Sequence, residues 1–273
     1  MNSRGERLAS YVILALFSVI ALVPVLGVLS TAFSSQRSLR TGFALPDGLH
    51  LSNFADAWTR GHFGAYFGSS ALVTVTVVIA AGLFSILAGY AFGTMRFPGT
   101  TLLFSVFLIG LTLPEEALVV PLYFDLRWAG LTETYWSLIL PQTAQSVAFG
   151  TFWMRAYFRS APRPLIEAAR IDGASSWTTL WRVLVPAGRP AITTMVVITF
   201  MWTWNEFLLP LVMVSSDALR TVPLGLVFFQ GQHSAEFSLL AAGAVLVALP
   251  VVIVYIILQR RFIEGMLTGS IKE

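Results

Sequence analysis

Three carboxylates stand where charge is hardest to keep. Glu115 and Glu116 follow Pro114, and Glu206 follows Asn205, each within a long run otherwise free of Asp, Glu, Lys and Arg. Ionisable groups in such runs are costly to bury, and they usually face a cavity, a partner or a transported species. Together with Tyr123, Trp202 and Asn205 they offer carboxylate and amide hydrogen bonds beside aromatic faces. That set can hold a polar ligand against a flat apolar face. Neighbouring helical residues point about 100° apart, so at most one of Glu115 and Glu116 faces such a path. A second reading stands beside this one: Asn205 and Glu206 bond to neighbouring helices and simply hold them together.

Other chemistries lack their residues. The absence of cysteine removes disulfides, thiolate metal sites and a Cys nucleophile. Of the 17 basic residues only Lys272, beside the C-terminus, is a lysine. A phosphate-binding loop of the GxxxxGK[ST] kind needs a lysine at the start of a helix, so ATP hydrolysis by this chain is not expected. His50, His62 and His233 are far apart and fall between apolar runs, which gives no metal-ligand spacing. Ser69 and Ser70 have no evident buried base.

The elements that must position these groups follow from where charge is missing. The chain has 273 residues, 56% hydrophobic and 11% charged, against roughly 25% charged in soluble domains. No charged residue occurs in 8–36, 61–95, 97–114, 134–154, 190–205 or 237–259. A helix needs about 20 apolar residues to cross the hydrocarbon core. Six spans are therefore expected, near 11–33, 69–93, 102–124, 135–154, 191–213 and 238–259, as one transmembrane domain over 1–273. Backbone in lipid must satisfy its own hydrogen bonds, so the fold class is all-α. Pro24, Pro114, Pro141, Pro210 and Pro250 lie in or at the edges of spans, where packed neighbours absorb kinks. Gly89 and Gly93 form a GxxxG that permits close helix approach.

Arginine bias orients the spans. With the N-terminus inside, the inner segments hold Arg4, Arg7, Arg96, Arg155, Arg159, Arg163, Arg170, Arg182, Arg189, Arg260, Arg261 and Lys272, against Arg37, Arg40, Arg60, Arg127 and Arg220 outside. Both termini are thus expected in the cytoplasm. The first run is longer than a typical signal-peptide core, which favours a retained anchor.

One inner loop, 155–190, is long and arginine-rich. Pro164 suits the first turn of a helix, and Leu165, Ile166, Ala168, Ala169 and Ile171 give that helix an apolar side. Gly173 can end it in a left-handed conformation. Ser175 or Ser176 can cap a second helix through Trp177–Val185, which Pro186 is expected to break. By periodicity alone, the product is either a docking helix–turn–helix or an amphipathic segment on the inner leaflet.

At this point the sequence resembles a family. Glu167-Ala168-Ala169, Gly173 and Val183-Leu184-Val185-Pro186 are similar, in type and spacing, to the EAA signature of permease subunits in binding-protein-dependent ABC importers. Val183 and Val185 stand where that signature usually has Ile and Leu. Arg96-Phe97-Pro98-Gly99, Pro121-Leu122-Tyr123, Leu138-Ile139-Leu140-Pro141, Trp204-Asn205-Glu206-Phe207 and Leu224–Gln232 resemble its carbohydrate-import branch. The tail from Gln259-Arg260-Arg261-Phe262 to Lys272 resembles the maltose-type second permease subunit, with Ser270, Ile271 and Glu273 departing from its usual ending.

The resemblance implies a type I ABC importer permease in the bacterial cell membrane that takes up a sugar or oligosaccharide by alternating access. Its implied partners are a second homologous permease subunit, an ABC ATPase dimer, an extracytoplasmic solute-binding protein, the sugar and membrane lipid, with no nucleic acid. The chain is then not an enzyme and binds no cofactor; ATP and Mg2+ belong to the ATPase. Glu167, Ala168, Ala169 and Gly173 become the coupling contact, with Trp177 and Pro186 orienting it. Gly269, Ser270 and Lys272 become a tail contact to the ATPase. Glu115, Glu116, Tyr123, Trp202, Asn205 and Glu206 become candidates for the substrate path. The outer segment with Phe228, Phe229, Gln230, Gln232 and His233 would face the binding protein. An ion-coupled secondary transporter would carry paired broken helices in inverted repeats. No similarity between 1–135 and 136–273 supports that rival.

Overall fold

The structure, a computed structural model, describes residues 4–35, 46–229 and 236–270, with backbone alone at 4, 163 and 261–270. Every regular element among the described residues is helical, as the all-α expectation requires. The chain divides into two compact units, one of residues 1–65 and 222–250, the other of 66–221 and 251–273.

In the first unit the helix Arg4–Phe33 ends on a side-chain cap. The last carbonyls of a helix have no partner within it. Here the buried Asn53 donates through Nδ2 to the carbonyls of Ala32 and Ser34, at 2.9 and 2.8 Å. The core of this unit is Phe63, fully buried between the rings of Trp58 and Phe229. Three glycines make room for it. A β-carbon on Gly225 would lie 2.5 Å from the Phe63 ring, and one on Gly61 or Gly243 would lie 3.2 Å from it. At the surface, Arg60 and Glu236 pair at 3.0 Å.

The second unit holds most of the helices between residues 66 and 221, and one close crossing organises half of it. The helix Phe63–Thr94 meets Trp136–Ser160 at the GxxxG pair: a β-carbon on Gly89 would lie 2.5 Å from Met154 Cβ, and one on Gly93 2.8 Å from Phe158 Cβ. Small residues thus let two backbones touch. Around the crossing, Ile86, Tyr90, Met154, Phe158, Leu180, Leu184 and Met195 form one core cluster. A second cluster, including Val73, Val77, Leu138, Leu209 and Met213, fills the other half.

Three helices, Gly5–Phe33, Phe63–Thr94 and Phe237–Arg260, are long and apolar enough to cross a membrane, and two bent pairs raise the number to five among the described residues. Trp136–Ser160 has the length, 25 residues, but is the most polar of the expected spans. Its amides and hydroxyls are the reason. The expected span 102–124 is two helices, Thr100–Thr112 and Glu115–Trp128, meeting at 103°. Pro114 causes the break, because it has no N–H to continue the ladder and holds Leu113 extended. The expected span 191–213 is likewise two helices, Arg189–Asn205 and Leu208–Met213, separated by the extended Glu206.

At the other end of this unit Glu133 pins a turn. Its carboxylate accepts the amides of Ser215 and Ser216 at 2.7 and 3.2 Å. Partial burial alone would raise its pKa, but those two amides outweigh it and hold the carboxyl below the usual range.

Candidate functional site

The breaks at Pro114 and at Glu206 open onto one cleft of about 400 Å³, lined by Glu115, Gln142, Gln145, Ser146, Met201, Trp202, Thr203, Asn205 and Glu206. Local sequence places each contributor. Glu115 is the first residue after Pro114, in the first turn of Glu115–Trp128, where a carboxylate suits the positive end of the helix. Glu206 sits in the gap after Asn205 and accepts the Leu209 amide at 2.9 Å, so it also caps the following short helix. Trp202, half-exposed, closes one side and meets Phe149 edge-on at 4.8 Å between ring centroids.

The third wall comes from Trp136–Ser160. Gln142, Gln145 and Ser146 follow an i, i+3, i+4 pattern and so share a face. Gln145 Nε2 donates to Glu115 Oε2 at 3.4 Å, and Gln142 Nε2 donates to the Leu138 carbonyl at 3.0 Å. Two acceptors are buried without a hydrogen-bond partner, Glu115 Oε1 and Gln142 Oε1. Buried polar atoms in folded proteins are nearly always paired, and the Glu206 side chain interacts with Glu115 here.

Of the six path candidates, Glu115, Trp202, Asn205 and Glu206 meet in the cleft, while Glu116 and Tyr123 do not line it. Glu116 is exposed, one helical step from Glu115. Tyr123 packs against the core cluster of Leu138 and Leu209 instead. Gln142, Gln145 and Ser146 escaped sequence reasoning. Their signal was present as three polar residues with helical spacing in a charge-free run.

The loop 155–190 forms the second candidate site. Helix Arg163–Ile171 has Pro164 in its first turn and closes on a two-bond cap. The Gly173 amide donates to the Arg170 carbonyl at 3.0 Å, and the Ala174 amide donates to the Ala169 carbonyl at 2.9 Å. With Gly173 at φ +79°, this is the Schellman arrangement, in which glycine occupies the left-handed position. The spacing from Ala169 to Gly173 is the spacing of that cap. Ser175 then caps the next helix, its Oγ accepting the Thr178 amide at 3.2 Å.

Pro186 does not break that helix as expected. Ser176–Ala187 runs on through a π-helical stretch, Thr179–Leu184, and Pro186 falls in the first turn of Val185–Ala187, where no amide is needed. The bend comes two residues later, at Gly188, where Arg189–Asn205 leaves at 79°. A β-carbon at Gly188 would lie 2.6 Å from the Tyr157 ring, and the Tyr157 hydroxyl donates to the Leu184 carbonyl at 3.0 Å.

This loop presents one face inward and one outward. Ala169 is buried, and Ile166 packs against the cluster of Met154, Phe158, Leu180 and Leu184. Glu167, Ala168, Gly173 and Pro186 are exposed, beside Ile171 and Trp177 at 86% and 62% exposure. Gly269 and Ser270 end the helix Phe237–Ser270, while Lys272 lies outside the described residues, as do Gln230, Gln232 and His233.

Comparison with known proteins bears on both sites. Residues 81–267 match the family model for the inner membrane component of binding-protein-dependent transport systems. The chain is 34% identical to the diacetylchitobiose uptake system permease protein NgcG of Streptomyces coelicolor, over 99% of this chain and 91% of that one. It is 33% identical to the arabinooligosaccharides transport system permease protein AraQ of Halalkalibacterium halodurans, covering 94% of each. It is 32% identical to the trehalose transport system permease protein SugB of Mycobacterium tuberculosis, over 98% of this chain and 99% of that one. Among solved structures, a chain of the bacterial ABC transporter involved in import of the acidic polysaccharide alginate has the same fold, with a TM-score of 0.77 at 22% identity over 96% of this chain and 99% of that one.

Proposed function

The chain belongs to the inner membrane components of binding-protein-dependent transport systems, and from that membership we propose that it is the permease subunit of an ABC importer for a sugar or oligosaccharide. It works beside a second, homologous permease subunit, an ABC ATPase dimer and an extracytoplasmic solute-binding protein. It does no chemistry itself. ATP and Mg2+ are held by the ATPase, whose closure moves the coupling loop and turns the transport path outward; hydrolysis returns it inward. The layout is six membrane crossings, a coupling loop over 155–190 and both termini in the cytoplasm, with the tail Gly269, Ser270 and Lys272 reaching the ATPase.

The observation that carries the reading is the outward face of the coupling loop. Ile171 and Trp177 are exposed beside Glu167 on a segment whose other face is packed into the core. A one-sided apolar knob flanked by the carboxylates of Glu167 and Asp172 fits a groove on a partner, where Glu167 pairs with a cation. Relatives named for diacetylchitobiose, arabinooligosaccharide and trehalose transport support the substrate class.

Affinity purification from the source membrane tests the assembly: an ATPase and a second membrane protein of this family should co-purify. The reconstituted complex should hydrolyse ATP faster with a binding protein loaded with one of a panel of saccharides. A homo-oligomer free of any ATPase, or an assembly indifferent to every saccharide-loaded binding protein, refutes the reading.

A further inference from the structure

We propose that the cleft between the two broken helices is this chain's own contact with the transported saccharide, and that it accepts a neutral, hydroxyl-rich ring and rejects a carboxylated one. The inference rests on the importer reading and adds to it which subunit grips the sugar and which charge class passes.

The charge of the cleft decides its preference. Each of its amide nitrogens makes one hydrogen bond to protein, Gln145 with Glu115, Gln142 with Leu138, and Asn205 with the Met201 carbonyl at 2.8 Å, and keeps a second N–H. Glu115 Oε1 and Gln142 Oε1 are buried and unpartnered, and Gln142 is only 4% exposed. The carboxylate of Glu206 lies on the same wall. No Arg, Lys or His is among the lining residues. Sugar hydroxyls, each both a donor and an acceptor, match these amides, hydroxyls and carboxylates. A uronate brings a further anion to two carboxylates with no cation to meet it, in surroundings of low dielectric where like charges repel strongly. Trp202 supplies the flat apolar face on which the C–H side of a sugar ring rests.

The test uses the assembled importer without its binding protein, so that the binding protein's own selectivity does not enter. Trp202 fluorescence, assigned by difference from a Trp202→Phe complex, is titrated with cellobiose, maltose and trehalose and with their glucuronate-terminated counterparts. The neutral sugars should produce a saturable change, with the uronates at least about tenfold weaker. Glu115→Gln and, independently, Gln142→Leu should weaken the neutral sugar by about ten- to a hundredfold, the range for losing a hydrogen bond to a charged or buried group, in complexes that assemble as wild type by size exclusion. Equal response to neutral and carboxylated sugars overturns the inference, as does unchanged affinity in both variants. Those failures leave the importer reading standing if saccharide-loaded binding protein still accelerates the ATPase. If no saccharide does so, the importer reading falls and this inference with it.

Discussion

Replacing Gly173 tests whether the coupling loop works through its shape. The glycine sits at φ +79°, and nothing lies within 4 Å of where a β-carbon would be. Steric collision with neighbours is therefore absent, and the cost of Gly173→Ala is that of the backbone conformation alone. For an L-residue this is about 1–2 kcal/mol. If the ATPase docks only on the capped form, that strain lowers its affinity by about five- to thirtyfold, since about 1.4 kcal/mol is tenfold. Gly173→Asn, whose side chain tolerates this region, should fall between wild type and alanine. Gly173→Pro is different in kind. It fixes φ near −65° and removes the amide that bonds the Arg170 carbonyl, so both bonds of the cap are lost. Titrating the purified ATPase onto the permease pair in nanodiscs gives the affinities, and sugar uptake against ATP hydrolysis gives the coupling. The expected order is Gly, Asn, Ala, Pro. Wild-type affinity in both the alanine and proline variants would refute the reasoning.

Glu167→Arg should leave the protein in the membrane while uncoupling ATP hydrolysis from uptake; wild-type uptake counts against the docking role. Gly89→Leu must push apart Met154 and the adjoining backbone and should abolish monodisperse protein in detergent. Gly82→Leu, with open space around it, should shift the melting temperature little, and equal damage from both would show that the close crossing is unimportant. Phe63→Ala empties the core of the first unit and should cost about 3–5 kcal/mol, read as a lowered thermal midpoint. Glu133 has its pKa lowered in the folded chain, so its stabilisation is complete above the ordinary carboxyl range, about pH 4.3, and is lost as pH falls through the folded value. Proteolysis near Ser215 should therefore rise on acidification below that range in the wild type, and Glu133→Gln should show the raised rate already at neutral pH. A wild-type rate that is flat across the range would remove the pin.

The helical class was legible because membrane spans announce themselves through charge-free runs, and the loop was legible because its glycine, proline and serine are local signals. Gly173 and Ser175 act through bonds to residues within five positions, so sequence spacing carries the geometry. Pro186 misled because its effect depends on register. A π-helical stretch shifted it into a first turn, and the bend passed to Gly188, where the Tyr157 ring, 31 residues earlier in sequence, leaves no room for a side chain. The cleft was half legible. Glu115 and Glu206 stood out as charges, but Gln142 and Gln145 read as tolerable polarity in a span until the fold set them opposite Glu115. Tyr123 shows the converse: an aromatic in the right run, turned by helical phase into the core.

The helix Trp136–Ser160 carries cleft amides in its first half and Tyr157, bonded to the Leu184 carbonyl, near its last turn. Tyr157 lies twelve residues after Gln145, about 18 Å along a stiff rod. Pivoting that rod by about 10° at the tyrosine end would sweep Gln145 through about 3 Å, roughly one hydrogen-bond length. A nudge too small to unpack the inner core is thus geared up, at the far end of one lever, into the difference between a grip held and a grip released.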